Sequence, residues 1–197
     1  MPGKEQFSGG GSLSSGRFRR SWRLLAGLLF LVSLAGASLQ AESATTLERK
    51  SKAVFLLNFA RFTEWPDEAF KDAESPLGLC FLNPEPYREL WEWLRKQTVK
   101  NRRLTIHSYE EVIQGEKCHL FFINTSDEKE LDRVLESLSS LKLLTVGEAK
   151  AFSKAGGVIN FVTMERKLRF EINLEAAKRN NLKLSSKLIR LGISVKD

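Results

Sequence analysis

The sequence predicts an α/β protein with a mixed, mostly parallel sheet, a C-terminal antiparallel hairpin and helices on both faces of the sheet. Two observations predict this fold. Short apolar runs alternate with helical patterns from about residue 47 to residue 157, which is typical of parallel strands joined by helices. Two further runs, within residues 158–173, are separated only by Glu165-Arg166, and this spacing indicates a hairpin.

The first predicted element is a helix from Leu47 to Glu64. Trp65-Pro66 ends it, because proline disfavours a helical conformation in the residue that precedes it. The centre of the helix, residues 53–57, is apolar nearly all round. We therefore expect this helix to be largely buried.

The middle of the chain is predicted to supply four strands and three helices. The strands are expected at residues 77–82, 103–107, 118–123 and 143–146. Helices are expected at residues 87–97, from a capping box at residues 125–128 to about Ser140, and at residues 148–154, where Gly156-Gly157 closes the last of them.

The predicted hairpin joins residues 158–164 to residues 167–173. In the second strand Leu168, Phe170 and Ile172 alternate with charged residues, so one face is expected to be core and the other solvent. A helical tail over residues 174–191 is predicted to complete the fold.

Residues 1–41 are predicted to be a signal peptide, which leaves residues 42–197 as one domain. Arginine-rich residues precede an apolar run from Leu24 to Ala35, and small residues follow it. This run has only about 12 residues, whereas a membrane-spanning helix needs about 20. We therefore favour cleavage over anchoring and expect a periplasmic protein with no membrane span after cleavage.

The net charge of +7 is concentrated in the leader. Five of the 31 basic residues and one of the 24 acidic residues lie there, so 26 and 23 remain, a net charge of +3. That charge is too small to indicate nucleic-acid binding, and export also argues against it.

The two cysteines, Cys80 and Cys118, both lie in the exported part of the chain, where a disulfide forms if the geometry allows. Each lies in a predicted strand that can neighbour the other, which favours a bridge. Two buried free thiols are the alternative at this stage.

The motifs that carry common enzyme chemistry are absent from the sequence. The chain has two histidines, His107 and His119, outside any HExxH pattern, and we interpret both as strand residues. No nucleophile elbow, phosphate-binding loop or dinucleotide-binding fingerprint occurs. We therefore predict a binding protein with no catalytic residues, no metal site and no cofactor.

Polar residues in the first predicted helix suggest a binding surface. Asn58, Arg61 and Trp65 lie at i, i+3 and i+7, so a continuous helix places them on one face. The alternative is that Asn58 and Arg61 satisfy a sheet edge or a helix end. Trp91 and Trp93 are about 200° apart around a helix, so at least one of them is expected to be exposed.

At the level of motifs, the chain resembles the YfiR-like family of periplasmic proteins. Five stretches carry the resemblance in the order that the family has them: residues 52–66, 118–123, 144–147, 156–162 and 169–174. The resemblance implies an α/β fold, a tendency to form homodimers and redox-sensitive cysteines. Cys80 and Cys118 match one cysteine pair of the family, and a second pair found in some members is absent here.

The resemblance also implies a function. It implies a periplasmic repressor that binds the periplasmic domain of an inner-membrane diguanylate cyclase and thereby limits cyclic-di-GMP signalling and biofilm formation. We predict that Asn58, Arg61, Phe62 and Trp65 form the contact surface for this partner. The alternative function is that of a periplasmic protein that binds a small molecule.

Overall fold

A computed structural model describes residues 45–109 and 118–195 of the 197-residue chain. The described residues from 47 onwards belong to one compact unit. The predicted signal peptide, residues 1–41, lies outside the described residues. In the two described ranges no helix has the length and apolar character that crossing a membrane requires.

Five α-helices and two 3-10 helices are present in the described ranges. The α-helices are α1 (residues 45–61), α2 (Trp91–Arg95), α3 (Glu128–Leu138), α4 (Leu174–Arg179) and α5 (Ser186–Leu191). The 3-10 helices are Asp67–Ala69 and Glu85–Leu90.

The strands of the described ranges form one large sheet and one short ribbon. They are β1 (Thr63–Glu64), β2 (Leu77–Leu82), β3 (Thr98–Val99), β4 (Arg102–Ser108), β5 (Leu120–Ile123), β6 (Leu144–Gly147), β7 (Ile159–Met164), β8 (Lys167–Asn173), β9 (Lys183–Leu184) and β10 (Ile193–Val195).

The large sheet has eight strands in the order β10-β8-β7-β6-β5-β2-β4-β3. The pairs β7–β8 and β3–β4 are antiparallel, and the other five pairs are parallel. The separate ribbon pairs β1 with β9 antiparallel. The predicted fold class, a mostly parallel mixed sheet with a C-terminal antiparallel hairpin, is therefore confirmed.

Each face of the sheet carries its own hydrophobic core. Helices α1, α2, α4 and α5 cover the first face, where Phe59 of α1 packs edge-on against Phe170 with ring centroids 4.9 Å apart. Helix α3 covers the second face through Leu131, Val134 and Leu138. Helices thus lie on both faces, as the alternation of strands and helices in the sequence predicts.

Helix α1 ends earlier than predicted. It stops at residue 61 rather than Glu64, because Thr63 and Glu64 pair with Leu184 and Lys183 in the short ribbon. The Thr63 hydroxyl donates to the Phe59 carbonyl at 2.8 Å and satisfies part of the open helix end. The helix is also not buried all round, since Val54 is 47% exposed.

The short helix predicted over residues 148–154 is absent, and hydrogen-bonded turns take its place. The ring of Phe152 lies between Gly147 and Gly157, where a Cβ on either glycine would overlap it. Gly156 adopts a φ of +96°, which favours glycine. Gly156 and Gly157 therefore belong to a compact turn around Phe152 and do not end a helix.

The predicted helical tail is also interrupted. Asn181 has a φ of 55°, Lys183–Leu184 form β9, and the Ser185 side chain accepts from the Leu188 amide to start α5. The helix predicted at residues 87–97 is also shorter than expected, because Glu85–Leu90 is a 3-10 helix and only Trp91–Arg95, which is α2, is α-helical.

Two predicted local structures are confirmed. The Asp127 side chain caps α3 by accepting from the amides of Lys129 and Glu130. The hairpin turns at Glu165 and Arg166, whose φ angles are 50° and 59°. Both values lie in the left-handed region, as the two central residues of a type I′ hairpin turn require.

Cys80 and Cys118 form a disulfide with a Cα–Cα distance of 5.9 Å. The bridge forms because β2 and β5 are neighbouring parallel strands, with Cys80 opposite Phe121. Both cysteines are buried in the core beneath α3. The structure thus decides between the two alternatives that the sequence leaves open, a bridge or two free thiols.

Candidate functional site

The end of helix α1 presents three of the four residues predicted to bind a partner. Asn58 and Phe62 are half-buried and Arg61 is exposed. The Phe62 amide donates to the Asn58 carbonyl at 3.0 Å, so the last turn keeps these three side chains on one side. We call Asn58, Arg61 and Phe62 the α1 patch.

The α1 patch is largely free of internal polar partners. In the described ranges no hydrogen bond or ion pair engages the side chain of Asn58 or Arg61, so neither satisfies a sheet edge or a helix end there. The Lys187 ammonium lies 5.7 Å from the centre of the Phe62 ring. The patch therefore combines an aromatic ring with polar groups available for other contacts.

Trp65 does not belong to this patch. The helix ends at residue 61, so the spacing of i, i+3 and i+7 along one continuous helix does not extend to Trp65, and a contact of Trp65 with a partner stays a prediction. Its indole Nε1 donates to the His119 carbonyl at 3.2 Å. Its ring meets the rings of Phe70 and His119 edge-on, with centroids 6.3 and 6.1 Å away.

Trp65 lines a cleft of about 640 Å³ between β1, the loop at residues 65–77 and the β3–β4 turn. Arg102 holds the loop that forms one wall of the cleft. Its Nη1 donates to the carbonyls of Asp72, Ala73 and Ser75 at 3.0, 2.9 and 2.7 Å. Its guanidinium lies 3.8 Å from the centre of the Phe70 ring. These contacts hold the loop in place.

His119 connects the Trp65 loop to the sheet. Its Nδ1 accepts from the Gly78 amide at 3.0 Å, and its Nε2 donates to the Ala69 carbonyl at 2.9 Å. The ring also stacks on Phe70 with centroids 4.3 Å apart. This pattern fixes the neutral tautomer, and burial lowers the pKa of His119 below its ordinary value. Both ring nitrogens are therefore engaged by backbone groups.

The carboxyl ends of β2 and β5 lie at the point where the strand order reverses, since the chain continues from β2 towards β4 and from β5 towards β6. Many α/β proteins bind their ligands in the crevice at such a point. Here Asn83 and Asn124 bridge it: each side-chain Nδ2 donates to the backbone carbonyl of the other residue, at 3.0 and 3.2 Å. These two hydrogen bonds thus link the ends of β2 and β5.

A buried ion pair joins the beginning of α1 to the end of β6. Lys52 is 8% exposed, and its ammonium pairs with Glu148 and, at 2.7 Å, with Glu48. Burial opposes the charge, but the two carboxylates more than offset it and raise the pKa of Lys52. Burial also raises the pKa of the nearby Tyr87, and the charges of Glu148 and Glu48 add to that effect. We interpret this cluster as structural.

No group of three His, Cys, Asp or Glu side chains that would hold a metal ion occurs among residues 45–109 and 118–195. As expected from the spacing of the tryptophans, Trp93 is exposed, at 40%. The guanidinium groups of Arg88 and Arg95 lie 5.0 and 5.5 Å from the centre of the Trp91 ring.

Comparison with known proteins identifies the chain at the level of a family. A family model described as YfiR/HmsC-like matches residues 49–193, a range that begins within α1 and ends at the first residue of β10. No curated protein matches the chain significantly.

Proposed function

The chain belongs to the YfiR/HmsC-like family, and we propose that it works in the periplasm by binding an inner-membrane diguanylate cyclase and holding it inactive. The family match over residues 49–193 is the observation that carries the proposal, because this family consists of periplasmic regulators rather than enzymes. Repression of the cyclase would limit cyclic-di-GMP and, with it, biofilm formation.

The mechanism follows from the position of the protein outside the cytoplasmic membrane. A periplasmic protein changes a cytoplasmic active site only by binding one conformation of a transmembrane receptor more tightly than another. Holding 99% of the receptor in a state otherwise populated at 1% takes a difference in affinity of about 10⁴-fold. The regulator therefore needs contact area and specific anchors rather than reactive groups.

We propose the α1 patch as the anchor for this contact. Arg61 is exposed and its charge has no ion-pair partner among the described residues, while Phe62 contributes an aromatic ring beside it. Arginine and aromatic side chains are enriched among the residues that dominate binding energy at interfaces. Asn58 adds a carboxamide that can both donate and accept.

The experiment that tests the function compares a gene deletion with complemented strains. Deletion is expected to raise cellular cyclic-di-GMP, and the unaltered gene is expected to restore it. Complementation with Arg61→Glu is expected to leave cyclic-di-GMP high, because the reversed charge weakens cyclase binding. The matched control is Lys129→Glu, which makes the same charge change at an exposed position on α3, on the other face of the sheet.

Two results would contradict the proposal. An unchanged cyclic-di-GMP level after deletion, in cells that express the cyclase, would contradict the proposed function. Equal complementation by Arg61→Glu and Lys129→Glu would retain the function but place the contact elsewhere. Envelope levels of each variant, measured by immunoblot, separate loss of binding from loss of protein.

The cleft beside Trp65 favours a second candidate function, the binding of a small molecule in the periplasm. Its volume of about 640 Å³ lies within the usual range for ligand sites, and Trp65 and Phe70 contribute aromatic walls. Thermal-shift screening of the purified protein against metabolites tests this candidate. A compound that stabilises the protein, and loses its effect in Trp65→Ala, would support it.

A further inference from the structure

A second cleft, of about 340 Å³, lies beyond the carboxyl end of β6. Strand β6 stops at Gly147, whose partner in β7 is Asn160, whereas β7 continues to Met164. The lining of the cleft comes from α1, from the segment after β6 and from the β7–β8 hairpin. We call it the β6 cleft. It shares no lining residue with the cleft beside Trp65.

An unpaired amide oxygen lines the β6 cleft. Asn160 is 2% exposed, and its Oδ1 accepts no hydrogen bond from any described residue. A buried amide oxygen without a donor costs free energy. The terminal torsion of an asparagine is broad and roughly two-fold, so the amide can turn its oxygen towards a donor in the cleft. The side chain of Asn160 therefore indicates a ligand that donates hydrogen bonds.

The residue opposite Asn160 places a carboxylate beside this oxygen. Asn160 pairs with Glu171 across the hairpin, and directly opposite residues of an antiparallel pair have their Cβ atoms about 4.5–5.5 Å apart on the same face. Glu171 is half-buried, and its carboxylate accepts from the Ser153 hydroxyl at 3.3 Å. Since a carboxylate has about four acceptor sites, most of its capacity remains for a ligand.

The charged residues that line the β6 cleft are three acidic and two basic side chains: Glu48, Glu148 and Glu171, with Lys52 and Lys150. Lys52 is already bound to Glu48 and Glu148. Burial opposes its charge, but these two carboxylates more than offset burial and raise its pKa. Lys150 is exposed and has no ion-pair partner among the described residues. The lining thus favours a ligand with a positive charge.

The shape of the site narrows the class of cation. Among residues 45–109 and 118–195 no three His, Cys, Asp or Glu side chains are grouped so that they could hold a metal ion, so the acceptors of this cleft suit an organic cation. Half-buried Val162 and Leu168 add apolar surface to the lining. The volume lies at the lower end of the usual range for ligand sites, which indicates a small molecule.

From the unpaired oxygen, the carboxylate beside it and the acidic lining, we infer that the β6 cleft binds a small aliphatic amine through its ammonium group. The ammonium donates to the Asn160 Oδ1 and to the Glu171 carboxylate, and the alkyl chain lies against the apolar part of the lining. Hydrogen bonds between ionised groups are roughly twice as strong as neutral ones. The inference goes beyond the proposed function and does not depend on it.

The test titrates isotopically labelled protein with butylammonium chloride. We expect saturable NMR shifts of the Asn160 side-chain amide, with a Kd of about 1 mM or below. Tetramethylammonium carries the same charge but has no N–H donor, and it is expected to bind at least about tenfold more weakly. No saturable shift up to about 50 mM butylammonium would show that solvent fills the cleft. That result, or equal binding of the two cations, would overturn the inference.

A pair of glutamate variants tests the carboxylate. Glu171→Gln removes the charge but keeps the shape of the side chain, and it is expected to weaken butylammonium binding about tenfold. The matched control is Glu165→Gln, at an exposed position in the turn of the same hairpin and outside the lining of the cleft. This control is expected to retain the affinity of the unaltered protein. Equal affinities in the two variants would overturn the inference.

A substitution of Asn160 tests the unpaired oxygen. Asn160→Leu keeps a similar volume without an acceptor, and it is expected to weaken binding about tenfold; retained binding in this variant would overturn the inference. Should Asn160→Leu not fold, the comparison of the two cations and Glu171→Gln test the same site with Asn160 in place.

Trp65→Ala separates this site from the cleft beside Trp65. The variant is expected to retain butylammonium binding, and a loss of binding there would place the amine in the other cleft and overturn the inference. Because all of these measurements use purified protein, they are independent of whether deletion of the gene changes cyclic-di-GMP.

Discussion

The indole Nε1 of Trp65 donates a hydrogen bond to the backbone carbonyl of His119, 3.2 Å away. The same carbonyl accepts from the Leu144 amide at 2.9 Å. One oxygen thus joins the segment after α1 to the beginning of β6. Trp65 holds the loop that follows α1 against the amino ends of the parallel strands.

Substitution of Trp65 by phenylalanine is expected to lower the free energy of unfolding by about 1 kcal/mol. The variant keeps an aromatic ring against Phe70 but loses the N–H donor, and the carbonyl stays satisfied by Leu144. Trp91→Phe is the matched control, because the Trp91 Nε1 is buried without a partner among the described residues. Urea denaturation of both variants checks this, and an equal loss in the two would contradict the role of the Trp65 hydrogen bond.

His119 is expected to make the stability of the protein depend on pH. Its pKa in the folded state is lowered by burial from the ordinary value of 6.5, so the unfolded chain binds the proton more readily. The stability that His119 contributes is therefore complete above about pH 6.5 and is lost as the pH falls below it. Protonation also removes the acceptor that Nδ1 offers to the Gly78 amide.

Thermal unfolding between pH 7.5 and 5.5 measures this effect. The free energy of unfolding is expected to fall with a slope of at most about 1.4 kcal/mol per pH unit, the limit for one proton. His119→Gln keeps a neutral side chain and is expected to have a flatter profile over this range. A slope equal to that of the unaltered protein would assign the titration to another group.

Strands that are buried on both faces were predictable from the sequence. Strands β2 and β5 are continuous apolar runs, β6 is interrupted only by Thr145, and every residue in the three strands is buried, so the signal is local. Strands β1, β3 and β9 have two residues each. Such short strands show no periodicity, and their existence depends on a partner distant in the chain. For this reason the end of α1 and the break in the C-terminal tail were not predictable.

The same contrast applies to the candidate site. The disulfide was predictable as an alternative because two apolar strands each carry one cysteine. The contacts of Trp65 and Arg102 were not predictable from the sequence. Their partners are backbone carbonyls, which any residue type provides. The exposed position of Arg61 agrees with its helical spacing, whereas Trp65 lies beyond the end of the helix that the spacing assumed.

The disulfide between Cys80 and Cys118 is expected to stabilise the protein. The two cysteines are 38 residues apart, and closing a loop of that length in the unfolded chain corresponds to about 4 kcal/mol in the chain-entropy model. A Cys80→Ala/Cys118→Ala double variant is expected to lose about 3–4 kcal/mol in urea denaturation. Reduction of the unaltered protein should give a similar loss, and unchanged stability in both would contradict a closed bridge.

Lys52 is expected to be required for the attachment of α1 to the sheet. In Lys52→Met the side chain keeps most of its apolar length, but Glu148 and Glu48 lose their common cation. Glu148 is only partly exposed, at 25% of its side-chain surface, so the loss is expected to be about 1–3 kcal/mol. Lys50→Met is the matched control, because Lys50 lies two residues earlier on the same helix and is exposed.

The position of Lys52 also separates stability from partner binding. The lysine lies near the beginning of α1, beside the end of β6, whereas the α1 patch lies at the other end of the helix. Lys52→Met is therefore expected to lower the urea midpoint but, at temperatures where the variant is folded, to leave cyclase binding unchanged. Lys50→Met should alter neither quantity. A loss of binding in folded Lys52→Met would show that the orientation of the whole helix, and not only its last turn, contributes to the contact.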